Sequence, residues 1–232
     1  MLHYFVRKVC AFKVFKPRAA VSLPASVTEV EQRSVVEAVT ASGARKVVLI
    51  EEAVAAAIGA GLNVGEPKGC MVADLGAGTA DIAVMSLKGV AASLSVRVGG
   101  NDMDEAIVRH MRNTHNLVVG LLAEQVKRTV GCATQAGDGA STEVKGRNAT
   151  TGLPSVCQVT GGEIREAITE QLAEILTAVQ RVLEMTPPEL VGDVLEAGIV
   201  LTGGLAQLKG MDEYLTKNTG VDCRVAEDPE DC

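Results

Sequence analysis

Two glycine-containing turns, each at the end of an apolar run, are the parts of this sequence best suited to bind phosphate. Gly76-Ala77-Gly78-Thr79 follows the run Met71–Leu75, and Gly203-Gly204 follows Ile199–Thr202. Glycine lets the backbone approach a ligand closely because it has no Cβ, and consecutive free N–H groups form a concavity that binds anions. Asp74, just before the first turn, suits a hydrated Mg²⁺. For the first motif alone, a plain hairpin turn explains the residues equally well.

Two further groups of charged residues could act on the same ligand. Glu52 lies between a predicted strand and a predicted helix, where a carboxylate either favours the helix dipole or orients an attacking water. Glu124, Lys127 and Arg128 share one face of a predicted helix. From spacing alone a solvated charged face is favoured, and a clamp on a ribose and a base edge is the functional alternative.

A short apolar pair, Val14-Phe15, lies between Lys13 and Lys16. The pair either packs against the body of the protein or inserts at a membrane surface, where the flanking lysines are attracted to anionic lipid. The residues themselves do not decide between these two interpretations.

Composition excludes some partners. The 232 residues carry a formal charge of −7, only 2% are aromatic, and there is no Trp. We therefore expect neither an aromatic platform that stacks on single-stranded nucleic acid nor a basic surface that binds duplexes. We predict no nucleic-acid partner. None of the six cysteines forms a CxxC pair, which argues against a cysteine zinc site. We found no signal peptide and expect a reducing cytosol.

The N-terminal part predicts alternating strands and helices, which indicates a parallel sheet with right-handed crossovers. Thr28 and Glu31 form a predicted capping box, and the helix that they begin places Val30, Val35, Ala38 and Val39 on one face. The predicted elements here are strand 18–23, a helix to about residue 42, strand 46–50 and helix 53–58.

The remainder predicts a second group of elements after a turn-rich boundary at 61–69. Three strands follow one another in hairpin order, and one long amphipathic helix is expected to stop at Pro187-Pro188. The predicted elements are strands 70–74, 80–87 and 90–98, helices 102–113 and 121–130, a hairpin within 137–152, helix 163–185, strand 198–202, helix 205–217 and strand 221–225.

Taken in order, these segments resemble the actin and heat-shock-chaperone ATPase superfamily and, within it, the MreB-type bacterial actins. The resemblance implies an α/β actin-like ATPase fold of the ribonuclease H-like kind. It implies a partial first domain at 1–61, a nearly complete second domain at 62–232, and a small upper subdomain near 132–159. The segments that carry it are Leu49–Gly61, Met71–Asp81, Arg97–Ile107, Thr151–Pro154, Thr186–Leu190 and Gly198–Gly204.

The resemblance also implies roles for the residues above. Glu52 would be catalytic and position the hydrolytic water, and Asp74 would hold Mg²⁺ through water. Val14 and Phe15 fall where the family carries a membrane-inserting loop. The residues implied to bind ATP are Asp74, Gly76, Ala77, Gly78 and Thr79 at the phosphates, Glu124, Lys127 and Arg128 at the adenosine, and Gly203 and Gly204 beneath it.

The implied function is that of a cytoplasmic, filament-forming bacterial actin at the inner face of the cell membrane. Its implied partners are copies of itself, the membrane surface and cell-wall elongation proteins. A chaperone ATPase fragment and a same-fold small-molecule kinase are the alternatives. The family hydrolyses ATP, but nothing before Arg18 supplies its first phosphate loop. We therefore expect weak or absent turnover by this chain, and enzyme status stays open.

Overall fold

The computed structural model describes Tyr4, Val6, Lys8 and residues 16–232, so the pair Val14-Phe15 lies outside the described residues. The first elements are β1 (Arg18–Leu23), α1 (Glu29–Ala41), β2 (Lys46–Glu51) and α2 (Glu52–Gly59). β1 and β2 pair in parallel, as predicted. The Thr28–Glu31 capping box at the start of α1 is confirmed.

The predicted apolar face of α1 is only half correct. Val39 is buried and Val35 half-buried, but Val30 is 74% exposed and Ala38 is exposed. The covered positions are 32, 35, 36 and 39, which follow the helical period, so Val30 lies on the opposite side of the helix.

The largest sheet has five strands in the order β10-β9-β3-β4-β5. The hairpin order of β3, β4 and β5 is confirmed, and β9 pairs in parallel with β3. Aligning these strands brings Asp74 opposite Thr202 on one side and Asp81 on the other. The strands are β3 (Cys70–Leu75), β4 (Ala80–Ser86), β5 (Gly89–Val96), β9 (Ile199–Thr202) and β10 (Cys223–Val225).

Different helices cover the two faces of this sheet. Side chains alternate along a strand, so Met71, Ala73 and Leu75 pack into the main core, whereas Val72 packs with Ala53, Ala56 and Ala57 of α2. Asp74 is two residues from Val72 on β3, so their side chains share a face of the sheet. Asp81 is likewise two residues from Ala83 on β4, and Ala83 packs in the same cluster as Val72 and the α2 alanines. Both aspartates therefore lie on the face that α2 covers, and α2 begins with Glu52.

The remaining helices surround the main core and a three-stranded sheet of β6, β7 and β8. A hairpin is present as β7 and β8, but it extends beyond the predicted range of 137–152, because all of β8 follows residue 152. These elements are α3 (Gly100–His115), β6 (Leu117–Val118), α4 (Leu122–Val130), β7 (Ser141–Asn148), β8 (Pro154–Thr160), α5 (Gly161–Ala167), α6 (Thr169–Met185), α7 (Pro188–Ala197) and α8 (Met211–Thr219).

Two of the predicted helices are divided in the structure, and one helix, α7, was not predicted. The single helix expected over 163–185 is two helices, α5 and α6, which meet at Ile168 where φ is −99° and ψ is 7°. The prolines that were expected to end it also begin α7, because proline fits the first helical turn. The helix expected over 205–217 is a short 3₁₀ turn, Gly204–Gln207, followed by α8, because Gly210 at φ +71° interrupts it.

Candidate functional site

The turn between β3 and β4 presents a run of free backbone donors. Gly76 donates its N–H to the Thr79 carbonyl at 2.9 Å and so tightens the turn. Within the part of the chain that the structure describes, the N–H groups of Ala77, Gly78 and Thr79 have no hydrogen-bond partner. Three unpaired donors in succession at an open turn are suited to an anion such as phosphate.

The beginning of α3 supports this turn. Gly100 donates to the Gly76 carbonyl at 3.1 Å, and Asn101 donates to the Ala77 carbonyl at 2.7 Å. A Cβ on Gly99 would stand 2.5 Å from the Ala77 carbonyl oxygen, so only glycine permits this approach. The carbonyls of the turn are thus directed to the helix, which leaves its N–H groups for a ligand.

Three carboxylates, those of Glu52, Asp74 and Asp81, gather beside the turn. Asp81 is only 3% exposed and its Oδ1 has no hydrogen-bond partner among the described residues. Burial raises the pKa of Asp74, and the Asp81 charge adds to this, while the Thr202 hydroxyl, which donates to Asp74 Oδ1 at 3.1 Å, lowers it in part. Burial also raises the pKa of Glu52, and the negative charges of Asp81 and Asp74 raise it further. Such a group suits a hard divalent cation.

A cavity of about 460 Å³ opens on the other side of the turn. Gly76 and Ala77 lie on one wall, the faces of α3 and α4 form a second, and the 3₁₀ turn after β9 forms a third. This volume is in the range of small-molecule pockets, which is about 300–1,000 Å³. Its lining residues are Gly76, Ala77, Gly100, Asn101, Asp104, Glu124, Lys127, Arg128, Gly131, Gly204, Leu205, Gln207, Leu208 and Lys209.

The charged face of α4 is divided between a structural and an exposed part. The Lys127 side chain is only 11% exposed, and its Nζ lies 2.9 Å from Asp104 Oδ1 and donates to the Gly100 carbonyl at 2.7 Å. Glu124 and Arg128 are largely exposed and pair with each other at 3.2 Å. A solvated face is therefore wrong for Lys127, which ties α4 to the beginning of α3.

The second glycine turn lies against the first. A Cβ on Gly203, where φ is +82°, would collide with the Leu75 carbonyl and stand 2.7 Å from Asp74 Oδ1. The N–H of Gly203 is not free for a ligand, because it donates to the Pro229 carbonyl at 2.6 Å. Gly204, in contrast, lines the cavity. The two glycines thus differ: Gly203 joins the strands and Gly204 faces the open space.

The structure brings most of the expected site residues together. Gly76, Ala77, Glu124, Lys127, Arg128 and Gly204 line the cavity, and Gly78 and Thr79 complete the turn at its edge. Asp74 and Glu52 belong to the carboxylate group instead.

Sequence reasoning gave no role to Asp81 and Asp104. For Asp81 a usable signal is its place opposite Asp74 across a short turn. For Asp104 the signal is the position one helical turn beyond Gly99-Gly100, on the same helix.

Comparison with known proteins gives a single answer. A model of the MreB/Mbl protein family matches residues 1–232. The chain is 44% identical over 235 residues to the cell shape-determining protein MreB of Escherichia coli K12, which covers all of this chain and 68% of that protein. It is 38% identical over 234 residues to the cell shape-determining protein Mbl of Bacillus subtilis 168, covering all of this chain and 70% of that protein.

Solved structures agree with the sequence relatives. MreB5 of Spiroplasma citri bound to AMPPNP superposes with a TM-score of 0.91 at 30% identity, covering 99% of this chain and 71% of that one. The MamK double helical filament superposes at 0.82 with 19% identity, covering 99% of this chain and 70% of that one, which shows the fold alone. The actin-like α/β fold expected from the sequence is confirmed, and the chain belongs to the MreB/Mbl family.

Proposed function

We propose that this chain is a nucleotide-binding, filament-forming bacterial actin that takes part in cell-shape determination and cell-wall organisation. The observation that carries the nucleotide part is the run of N–H groups from Ala77 to Thr79, which have no partner among the described residues and lie between a cavity and a group of carboxylates. The family match and the nucleotide in the S. citri relative support the same conclusion. Neither alternative, a chaperone fragment or a small-molecule kinase, is favoured by these matches.

In this proposal the nucleotide lies across the turn. The N–H groups of Ala77, Gly78 and Thr79 bind the terminal phosphates of ATP, with Gly76 shaping the turn. The adenosine occupies the cavity between α4, which presents Glu124, Lys127 and Arg128, and Gly204. Gly203 keeps the second turn close to Asp74. In this arrangement the backbone N–H groups of the turn face the anionic phosphates, and the cavity holds the adenosine.

The carboxylates suit Mg²⁺, because Asp81 has a buried oxygen without a partner among the described residues and Asp74 lies half-buried beside it. Mg²⁺ would neutralise charge on the terminal phosphates when bound. Asp74 would hold it through water, and Glu52, at the start of α2, would orient the water that attacks the γ-phosphate. Burial raises the pKa of Glu52, so a nearby cation also keeps that group ionised.

Binding of a fluorescent ATP analogue to the full chain with Mg²⁺ tests the site. We expect Asp74→Asn to weaken Mg²⁺-dependent binding by about ten-fold or more, since the cation loses a charged partner. Asp193→Asn is the matched control, because the Asp193 carboxylate accepts a hydrogen bond from the Gly69 N–H, just before the far end of β3. Equal affinity in wild type and Asp74→Asn would remove Asp74 from the site.

Self-association is the second part of the proposal, supported by the fold shared with a double helical filament. Sedimentation of the full chain with Mg²⁺ and a non-hydrolysable ATP analogue tests it. We expect a pelletable polymer visible by electron microscopy. A chain that binds nucleotide and stays monomeric at high concentration would contradict this part alone.

We propose in addition that the protein lies at the inner membrane surface, with Val14 and Phe15 inserting and cell-wall elongation proteins as partners. No helix among the described residues has the length and apolarity to cross a bilayer, and two inserted side chains contribute about 3–6 kcal/mol at most. Many copies along a filament would supply stable attachment through avidity. Co-sedimentation with anionic liposomes should fall in Phe15→Ser and persist in Val90→Ser, an exposed residue of β5. Equal binding by Phe15→Ser and wild type would contradict this role.

The two-domain division, at 1–61 and 62–232 with an upper subdomain near 132–159, is also a proposal. It is supported by the separate pairing of β1 with β2 and of β6, β7 and β8.

A further inference from the structure

A group of metal-ligating side chains lies at the end of α3 that is remote from the nucleotide site. His110 and His115 are on α3, and Glu163 is in the first turn of α5. One ring nitrogen of each histidine and one carboxylate oxygen of Glu163 lie within 4.8 Å of one another. All three residues are half-buried, and the proposed function gives none of them a role.

The polar atoms of this group are held in place but not all satisfied. His115 Nε2 lies 2.9 Å from Glu163 Oε1. The other oxygen, Oε2, accepts hydrogen bonds from the N–H of Thr160 at 2.8 Å and from its hydroxyl at 2.9 Å. The Nε2 of His110 is buried and has no hydrogen-bond partner among the described residues. A buried nitrogen without a partner is costly unless something binds it.

We propose that His110, His115 and Glu163 form a site for a divalent ion of the zinc class, with three protein ligands and a fourth position open to water. Imidazole and carboxylate are the ligands that suit Zn²⁺ in such a set. Ligand atoms around a tetrahedral zinc ion stand about 3.3 Å apart, given bond lengths of about 2.0–2.2 Å. The ligand atoms of the three residues, which lie within 4.8 Å of one another, would have to approach somewhat closer to bind the ion.

Thr160 is the orienting group in this site. By fixing Glu163 Oε2, it directs Oε1 toward the histidines, which is the usual task of a residue behind a metal ligand. The bound ion would join the end of α3 to the start of α5. Because α3 begins at the phosphate-binding turn, the ion would stabilise the helix that supports that turn.

Titration of the full chain with Zn²⁺ alone, in a phosphine reductant, tests this inference by calorimetry. We expect one equivalent to bind, with affinity reduced about ten-fold or more in His110→Gln and in His115→Gln. Arg109→Gln is the matched control, since Arg109 precedes His110 on α3 and, among the described residues, forms an ion pair only with exposed Glu105. Each variant is checked by circular dichroism in EDTA, and if one histidine variant does not fold the other decides.

The described cysteines are all free thiols, so Co²⁺ spectroscopy distinguishes the site from thiolate binding. We expect visible d–d bands without the near-ultraviolet charge-transfer band of a cobalt thiolate. No binding by wild type, unchanged binding in both histidine variants, or a thiolate band at one equivalent would each overturn the proposal.

Discussion

At the scale of single residues, helical spacing shows which side chains share a face but not what they meet. Glu124, Lys127 and Arg128 have the spacing of an ordinary exposed face. Their outcomes differ because Asp104 and the Gly100 carbonyl, which are distant in sequence, lie opposite Lys127. The partner comes from another helix, so no local pattern could have revealed it.

Lys127→Met should therefore destabilise the protein by about 2–3 kcal/mol in the free energy of unfolding, because it leaves Asp104 and a carbonyl without a partner. Lys145→Met is the control: its side chain is 76% exposed and its pair with Glu143 is long, at 3.6 Å. We expect that change to cost less than about 0.5 kcal/mol. Urea unfolding measures both, and similar losses in the two variants would contradict a structural role for Lys127.

The carboxylate group predicts a pH dependence for the metal-free protein. Burial and then Asp81 raise the pKa of Asp74, so the folded state keeps this proton to a higher pH than the unfolded chain. An unfolded aspartate titrates near about pH 3.9. The stabilising contribution of the protonated form is therefore present below that pH and is lost as the pH rises through the folded-state pKa.

Asp74→Asn should remove the loss of stability that ionisation of Asp74 causes as the pH rises. In EDTA, the variant should gain in free energy of unfolding relative to wild type as the pH is raised from 4 to 7, and saturating Mg²⁺ should reduce the gain by stabilising wild type. Urea unfolding at several pH values measures the difference. A difference that is constant with pH, or that changes in the opposite direction, would contradict the burial of this carboxylate.

At the scale of elements, replacing a glycine by alanine should raise or lower the free energy of unfolding, depending on what surrounds the glycine. Gly192 lies exposed within α7, and a Cβ there would meet nothing within 4 Å. Gly192→Ala should raise the free energy of unfolding by about 0.5–1 kcal/mol, since alanine loses less conformational entropy in a helix. A destabilising effect in urea unfolding would show that α7 is not helical at this position.

Gly203 and Gly204 form a matched pair at the junction of β9 and its 3₁₀ turn. Gly203→Ala should cost about 2–4 kcal/mol, because its backbone has a positive φ and its Cβ would meet Leu75 and Asp74. Gly204→Ala should be nearly neutral for stability, since its Cβ would be 3.7 Å from the flexible Glu230 carboxylate. Thermal unfolding distinguishes them, and equal effects would contradict the close approach of the two turns.

At the scale of the whole molecule, the sequence predicted most elements and their order. Alternation and turn residues located β3, β4 and β5, and the capping box located the beginning of α1. The break at Ile168 was missed because Glu163–Met185 is continuously amphipathic and contains no internal glycine or proline.

The candidate site was predictable only in the parts that a local sequence pattern defines. The turn that we propose binds phosphate is a contiguous segment, so it was visible in the sequence. The remaining parts of the site, the unpaired oxygen of Asp81 and the Lys127–Asp104 pair, arise where distant segments pack together. The arrangement of sheets and helices, rather than any one motif, completes the cavity.

A crystal structure of the full chain with AMPPNP and Mg²⁺ tests the central claim most directly. The account predicts terminal phosphates on the N–H groups of Ala77, Gly78 and Thr79, Mg²⁺ beside Asp74, and adenosine between α4 and Gly204. Nucleotide bound elsewhere, or bound in this cavity with its phosphates directed away from the turn, would contradict it.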